Sequence, residues 1–376
     1  MRKLDLDKIP GKIPVPIDKL EPGMVVAEEI KLNDKVFIAS DVKLTERLIE
    51  KLKKLLEDFS IKDDIKIFNP ERYKNIDIML PVHNKSKNVN IRSNQNVLGV
   101  EMYFQAYTRV LGELFTNINY KADDIIKEIK KLSMDIQMDL HYPAPVVKNI
   151  VLYGSGGDYL YRHSVNVSIL SFMIGKWLGL SSSELELLTY SAVLHDFGKT
   201  KLDCSTLNKS TKLSPSEFKH IMLHPILGYE FMKKIPSVPE EVLQGILMHH
   251  ERLDGSGYPL KLKEEKIHNF AKIIAIADVF EAINSNRIYK KRRSPFEALE
   301  TIKSESLGKL DYNFCKVFID NISSFYVGEK VLLNTKKIGT ILKIDYNNLT
   351  CPLISVGSEF INLAETKNVH VKKLIL

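Results

Sequence analysis

The chain has 376 residues, too many for one ordinary core and enough for two or three domains. Apolar residues make up 44% and charged residues 27%, a balance that excludes a disordered or fibrous chain. The net charge of +7 reads as a solvated, lysine-rich surface; with no basic stripe interleaved with aromatics, nucleic-acid binding is not expected.

The cysteines, Cys204, Cys315 and Cys351, stand far apart and form no CxxC pair. That argues against a disulfide framework or a structural zinc site and suits a reducing cytoplasm. The start, Met1-Arg2-Lys3-Leu4, has no apolar signal region. The best candidate for a membrane span, Ile169 to Leu180, is broken by Lys176 and reads as a buried helix.

Residues 1–80 are expected to form a small α+β module of possible regulatory use, with strands at Val25–Ala27 and Val36–Ala39. Leu44, Leu48, Leu52, Leu55 and Phe59 follow at helical spacing. A polar linker is expected from about 80 to 97. Residues 98–325 read as helical almost throughout, with a core at about 150–320. Ile125, Ile129, Leu132, Ile136 and Leu140 mark one amphipathic helix, which Pro143 and Pro145 are expected to end. Ser181 with Glu184, and Ser214 with Glu217, are capping boxes, the second with Pro215 at the first helical position. They start helices that end near His195 and His224. Residues 326–376 switch to short strands, Val331–Leu333, Gly339–Ile344 and Leu353–Val356, forming a small β appendage. The fold class expected is mainly α: a helical bundle with a small α+β module before it and the β appendage after it. The length and amphipathicity of helices 98–118 and 121–141 suggest a homodimer.

Seven of the ten histidines fall between residues 163 and 268. His163, the doublet His195-Asp196, His224, the pair His249-His250 and Asp278 follow one another at intervals of 25 to 32 residues. Each interval is about one helix plus its connection, so successive helices of a bundle can each deliver ligands to one centre. Imidazole and carboxylate suit iron, manganese or zinc rather than calcium. Asp196 has two oxygens and can bridge two ions. Two ions ~3.5–4 Å apart clamp a phosphate and generate a hydroxide at neutral pH, which is what phosphodiester hydrolysis needs. Asp278 sits in an apolar run, Ile273 to Phe280, where a buried carboxylate requires a metal or a charged partner. A lone helical histidine is more often packed or exposed than a ligand, and His83, His141, His268 and His370 are read that way.

Beside these ligands lies His249-His250-Glu251-Arg252-Leu253-Asp254-Gly255-Ser256-Gly257-Tyr258-Pro259. It matches HHExxDGxGYP in full, and residues 195–199 match HDxGK. His163-Ser164-Val165-Asn166-Val167 is similar to HSxxV, Ala275–Ala282 to AxADVxxA, and Ser285-Asn286-Arg287-Ile288-Tyr289 to SxRxY. Over roughly residues 150–320 the chain thus resembles the HD-GYP family, a branch of the HD phosphohydrolase superfamily.

The resemblance implies an HD-type helical bundle and a metal-dependent cyclic di-GMP phosphodiesterase. Its metal ligands would be His163, His195, Asp196 and Asp278 on one ion and His224, His249 and His250 on the other, with Asp196 bridging. The ions would be two, iron or manganese. A third ion is not expected, because Tyr159 stands where some relatives carry a glutamate. A hydroxide between the ions would attack one phosphorus and release linear pGpG, or GMP after a second cut. Asp196 and Lys199 are the expected catalytic residues. Lys199, Arg287, Gly257, Tyr258 and Pro259 are expected at the substrate, with Lys199 and Arg287 on phosphate oxygens. Glu251 and Asp254 are read as turn-stabilising or supporting groups rather than ligands. The alternative is a catalytically weak receptor for a cyclic dinucleotide that signals through the flanking modules.

Overall fold

A computed structural model describes residues 97–118, 122–139, 143–155, 159–207, 209, 211, 214–285 and 295–375. Before residue 69 it describes only residues 12–16, 19–21, 24, 30–32, 35–38, 44, 49 and 65–68. The chain divides into two compact units, Met1–Lys87 and Asn88–Leu376.

In the first unit, β1 (Lys12–Val15) pairs antiparallel with β4 (Ile65–Phe68), Lys12 opposite Phe68 and Val15 opposite Ile65. β2 (Ile30–Leu32) and β3 (Lys35–Ile38) form an antiparallel pair. The strand expected at 36–39 is therefore β3. The strand at Val25–Ala27, most of the helix at 44–59 and the linker up to residue 96 lie outside the described residues.

The second unit begins with α1 (Val97–Asn117), α2 (Ala122–Asp139) and α3 (Pro143–Tyr153). Here one sequence expectation shifts. Pro143 and Pro145 open α3 rather than stop α2, which ends at Asp139. Proline lacks only a donor that a first turn leaves unpaired anyway. The apolar faces of α1 (Phe104, Tyr107, Leu111, Phe115) and α2 (Ile126, Ile129, Leu132, Ile136) are buried within this unit.

α4 (Tyr159–Trp177) and α10 (Asn269–Asn284) are buried on nearly every side, as helices at the middle of a bundle must be. Around them stand α5 (Ser182–Leu194), a 3-10 turn (Phe197–Lys201), α6 (Cys204–Leu207), α7 (Pro215–Ile221), α8 (His224–Met232) and α9 (Glu240–Met248). Both capping boxes form: Ser181 accepts from the Glu184 amide and Ser214 from the Glu217 amide, and each glutamate reaches back to its cap. They set where α5 and α7 start, and hence where they end. Phe197 locks the 3-10 turn into the core between Phe115 (5.1 Å between ring centroids) and Phe231 (5.0 Å).

α11 (Pro295–Glu305) and α12 (Tyr312–Ser324) close the bundle. Five strands follow, β5 (Lys330–Leu333), β6 (Ile338–Asp345), β7 (Asn348–Val356), β8 (Glu359–Asn362) and β9 (Val371–Ile375). They form one antiparallel sheet in the order β8-β7-β6-β5-β9. The Asp345 side chain accepts from the Asn347 amide at 2.8 Å and turns the chain between β6 and β7. Val331, Ile341, Leu349 and Ile354 bury one face of the sheet in the same apolar cluster as the helices. The architecture is the mainly helical one expected, with the small sheet at its end. Among the described residues no helix is long and apolar enough to cross a membrane.

Trp177, the single tryptophan, packs against Phe318 (6.5 Å) and Phe325 (6.1 Å), and Phe318 against Phe280 of α10 (5.1 Å). Truncating the fully buried Phe318 to alanine is expected to destabilise the bundle by about 3–5 kcal/mol. The measurement is a denaturant titration read by Trp177 fluorescence, where the midpoint should fall markedly.

Candidate metal centre

Helix ends make this site. α5 stops at Leu194 with His195 as its cap, α7 stops at Ile221 just before His224, and α9 stops at Met248 with His249 as its cap. The last carbonyls of a helix have no partner within it. Each histidine takes one of them three residues back. His195 Nδ1 donates to Ala192 O (2.7 Å), His224 Nδ1 to Ile221 O (2.8 Å) and His249 Nδ1 to Ile246 O (2.8 Å). A proton on Nδ1 leaves the lone pair on Nε2, and these Nε2 atoms point to one place.

His163 lies inside α4, where the backbone carbonyls are engaged in the helix. Its Nδ1 donates instead to Glu281 Oε2 at 2.5 Å. His163 Nε2 is then 3.3 Å from His195 Nε2, and His224 Nε2 is 3.2 Å from His249 Nε2. At such distances the two nitrogens of each pair must share a proton or a cation.

Asp196 stands between the two pairs. Its Oδ2 faces His163 Nε2 (3.4 Å) and His195 Nε2 (3.6 Å), and its Oδ1 faces His224 Nε2 (3.1 Å) and His249 Nε2 (3.8 Å). Although Oδ1 is buried and near His224, it makes no well-formed hydrogen bond among the described residues. Asp278, one turn before Glu281 on α10, places Oδ1 3.2 Å from His163 Nε2 and Oδ2 3.7 Å from His250 Nδ1. The donors fall into two groups, His163, His195 and Asp196, and Asp196, His224, His249 and His250, each with all its ligand atoms within 4.8 Å of one another. Imidazole nitrogen and carboxylate oxygen suit a divalent transition ion, and two donor groups sharing one carboxylate suit two. The seven expected ligands therefore meet at one centre, and the donor chemistry fits a metal.

The charges agree. Burial holds His195 down to about 4 and His249 and His250 well below the ordinary imidazole value; neighbouring imidazoles push the same way. These rings are neutral and ready to ligate. Burial alone would raise Asp196, but Lys199, His195 and His224 hold it well below the usual carboxylate range. Burial would raise Asp278 too, and His163 and His250 keep it ionised. Burial would lower His163, yet Glu281 and Asp278 raise it to about 9. Burial would raise Glu281, and His163, Ser155 and Ser285 lower it to about 2. The pocket holds excess negative charge and draws positive charge in.

The rest of the motif shapes the mouth. Gly198 lies so close to α8 that a Cβ there would be 1.9 Å from His224 O. That glycine sets the distance between Asp196 and His224. Glu251 is buried and accepts from the amides of Leu260 (2.6 Å) and Leu262 (2.9 Å), closing the 252–259 loop. Asp254 accepts from the Ser256 amide at 2.9 Å. Both are structural, as expected. Gly257 packs on the Glu251 and Arg252 backbone, where a Cβ would meet Arg252 N at 2.4 Å. The Tyr258 ring lies 4.6 Å from that of His250 and 6.4 Å from that of His224, with Pro259 half-buried next to it. Lys199 Nζ sits 2.5 Å from Asp196 Oδ2, its side chain partly open to solvent. Arg287 lies outside the described residues. His220 is exposed on α7, and His268 caps α10 by accepting from the Phe270 amide.

Glu281 was not among the expected site residues, and neither were its partners Asn166, Ser155 and Ser285. Glu281 follows Asp278 by three residues on one helix face, a signal legible in Asp278-Val279-Phe280-Glu281. Ser155 carries no such signal.

Comparisons with known proteins agree with this geometry. Residues 155–314 match the family model described as HD domain. A cyclic di-GMP phosphodiesterase of Pseudomonas aeruginosa is 31% identical over 235 residues, 62% of this chain and 55% of that protein. A cyclic di-GMP phosphodiesterase of Thermotoga maritima is 38% identical over 151 residues, 40% of this chain and 41% of that protein. A 3'3'-cGAMP-specific phosphodiesterase of Vibrio cholerae is 32% identical over 184 residues, 49% of this chain and 42% of that protein. The chain spans about half the length of the curated relatives it matches. In fold it is similar to an HDG"Y"P protein from Bdellovibrio bacteriovorus, with a TM-score of 0.54 at 17% identity, covering 83% of this chain and 99% of that one.

The titrations have a checkable consequence in metal-stripped protein. His195 stays neutral when folded down to about pH 4 but is protonated below about 6.5 when unfolded, so stability rises from pH 4 to 6.5. Glu281 adds stability above about 4.5 that is lost as pH falls toward 2. His163 works in the other sense: its proton stabilises the fold below about 6.5, and that contribution is lost as pH climbs to 9. Thermal midpoints should pass through a maximum near about pH 6.5. A midpoint that climbs steadily to pH 9 would contradict the assignment of His163.

Proposed function

We propose that the chain hydrolyses the phosphodiester bonds of a cyclic dinucleotide, cyclic di-GMP first among them, to pGpG and then to GMP. The observation that carries this reading is Asp196: one buried carboxylate whose two oxygens face two separate groups of imidazoles. The names of the relatives support the substrate class, since they act on cyclic di-GMP or 3'3'-cGAMP.

In this reading His163, His195, Asp196 and Asp278 hold one ion, and Asp196, His224, His249 and His250 the other. We assign iron or manganese, both of which suit mixed imidazole and carboxylate donors. Bound divalent ions acidify water and neutralise phosphate charge. The protein does the rest. Asp196 and Asp278 stay ionised in a buried pocket because cationic neighbours hold them so. Lys199, fixed by Asp196 at the mouth, places an ammonium beside the phosphate, and we assign Arg287, from its residue type and motif alone, to the other oxygens. Tyr258 and Pro259 wall the pocket next to His250, and Gly257 lets their loop close on Glu251. Water gives its hydroxyl to phosphorus and its proton to the leaving 3′-oxygen as the P–O3′ bond breaks. Residues 1–80 are the regulatory module in this scheme. The free thiols Cys315 and Cys351 suit a cytoplasmic setting.

The test is turnover of cyclic di-GMP by anaerobically purified protein, followed by chromatography of pGpG and GMP. Asp196→Ala should lower the rate at least about a hundredfold, because it removes the carboxylate that would hold the ions that stabilise transition-state charge, with circular dichroism unchanged. Turnover of Asp196→Ala within a few-fold of the parent would sink the mechanism. A parent that binds cyclic di-GMP without cutting it would sink the hydrolase reading in favour of a receptor.

A further inference from the structure

His195, His224 and His249 lean on neutral backbone carbonyls, whereas His163 leans on the Glu281 carboxylate. The reason is positional. Three of these histidines sit where a helix ends and carbonyls are spare; His163 sits inside a helix, where they are taken. A carboxylate partner fixes the ring tautomer and makes the ligating nitrogen more basic.

Glu281 is itself held from every side. Its Oε1 accepts from Asn166 Nδ2 (3.0 Å), Ser285 Oγ (2.5 Å) and Ser155 Oγ, while Oε2 takes the His163 proton. Asn166 Oδ1 accepts in turn from Arg162 Nε at 3.2 Å, and Arg162 forks onto Glu101. The carboxylate therefore has one orientation, and so does the imidazole behind the donors.

The two halves of the centre also differ in charge. The His163 half has Asp278 Oδ1 and Glu281 in addition to Asp196 Oδ2, whereas the His224 half has Asp196 Oδ1 and Asp278 Oδ2, which faces His250. Lys199 lies on Asp196 Oδ2, and Glu281 on His163 is a carboxylate with no counterpart in the His224 half among the described residues. In a buried site that difference is weakly screened.

We propose that Glu281 is a positioning residue that makes the two halves unequal, so that the half holding His163 and Asp278 binds its ion first and more tightly. The inference rests on the two-ion reading above but not on the identity of the substrate.

The experiment is calorimetric titration of the chelator-stripped full chain with Mn²⁺, with circular dichroism as the control for folding. The parent should show two unequal classes of site. Glu281→Gln should weaken the tight class about 10- to 100-fold and leave the weak class unchanged. Ser285→Ala keeps the charge and removes one anchor, so it should give a smaller change in the same direction and serves if Glu281→Gln does not fold. His224→Ala should retain the tight ion, and His163→Ala should lose it. Equal classes in the parent, or a Glu281→Gln and Ser285→Ala pair that leaves the tight class intact or weakens both classes alike, overturns the proposal. A parent that binds a single ion overturns the two-ion reading itself. Ordered binding without cyclic di-GMP turnover overturns only the substrate assignment.

Discussion

The centre depends on unpaired carbonyls at the ends of three helices. An imidazole that gives its Nδ1 proton to such a carbonyl has one tautomer and one orientation, and it offers Nε2 inward. α5, α7 and α9 each end this way beside a histidine. The orphan acceptors that every helix must satisfy are here satisfied by the histidines of the centre. Asp196 follows directly after one of these ends and so lies between both groups. The two capping boxes matter for the same reason: by setting where α5 and α7 begin, they help to set which carbonyl each histidine meets.

That arrangement is stable only in a pocket that water cannot rearrange. α4 and α10 are buried in the unit and bring His163 against Asp278 and Glu281. Burying three carboxylates would be prohibitive in isolation. Lys199, the imidazoles and the hydrogen bonds around Glu281 compensate, and a bound cation would complete the balance. The loop from Glu251 to Leu262 then covers one side with Tyr258, tied down by amides on the Glu251 carboxylate.

Much of this was legible in the sequence. His163, His195, His224, His249 and Asp278 recur at the spacing of a helix and its connection, and periodicity of that kind survives in one dimension. The motif glycines were legible as turn formers. Why Gly198 must be glycine was not, because its neighbour, the His224 carbonyl, comes from another helix. Pro143 and Pro145 carry the same local signal whether they close one helix or open the next, and the chain uses them to open α3. Glu281 looked like one more polar residue in an apolar helix. Its role comes from His163 being inside a helix, a fact about a different segment. The pairing of adjacent His249 and His250 on one centre, awkward on a continuous helix, works because α9 has already ended at Met248.

The claim on which the rest stands is that Asp196 joins two ions held by two groups of buried histidines. Anomalous diffraction from crystals grown with manganese tests it most directly. The account predicts two manganese peaks, one among His163, His195 and Asp278 and one among His224, His249 and His250, with one oxygen of Asp196 on each. A single peak, or two peaks that do not share Asp196, would contradict it.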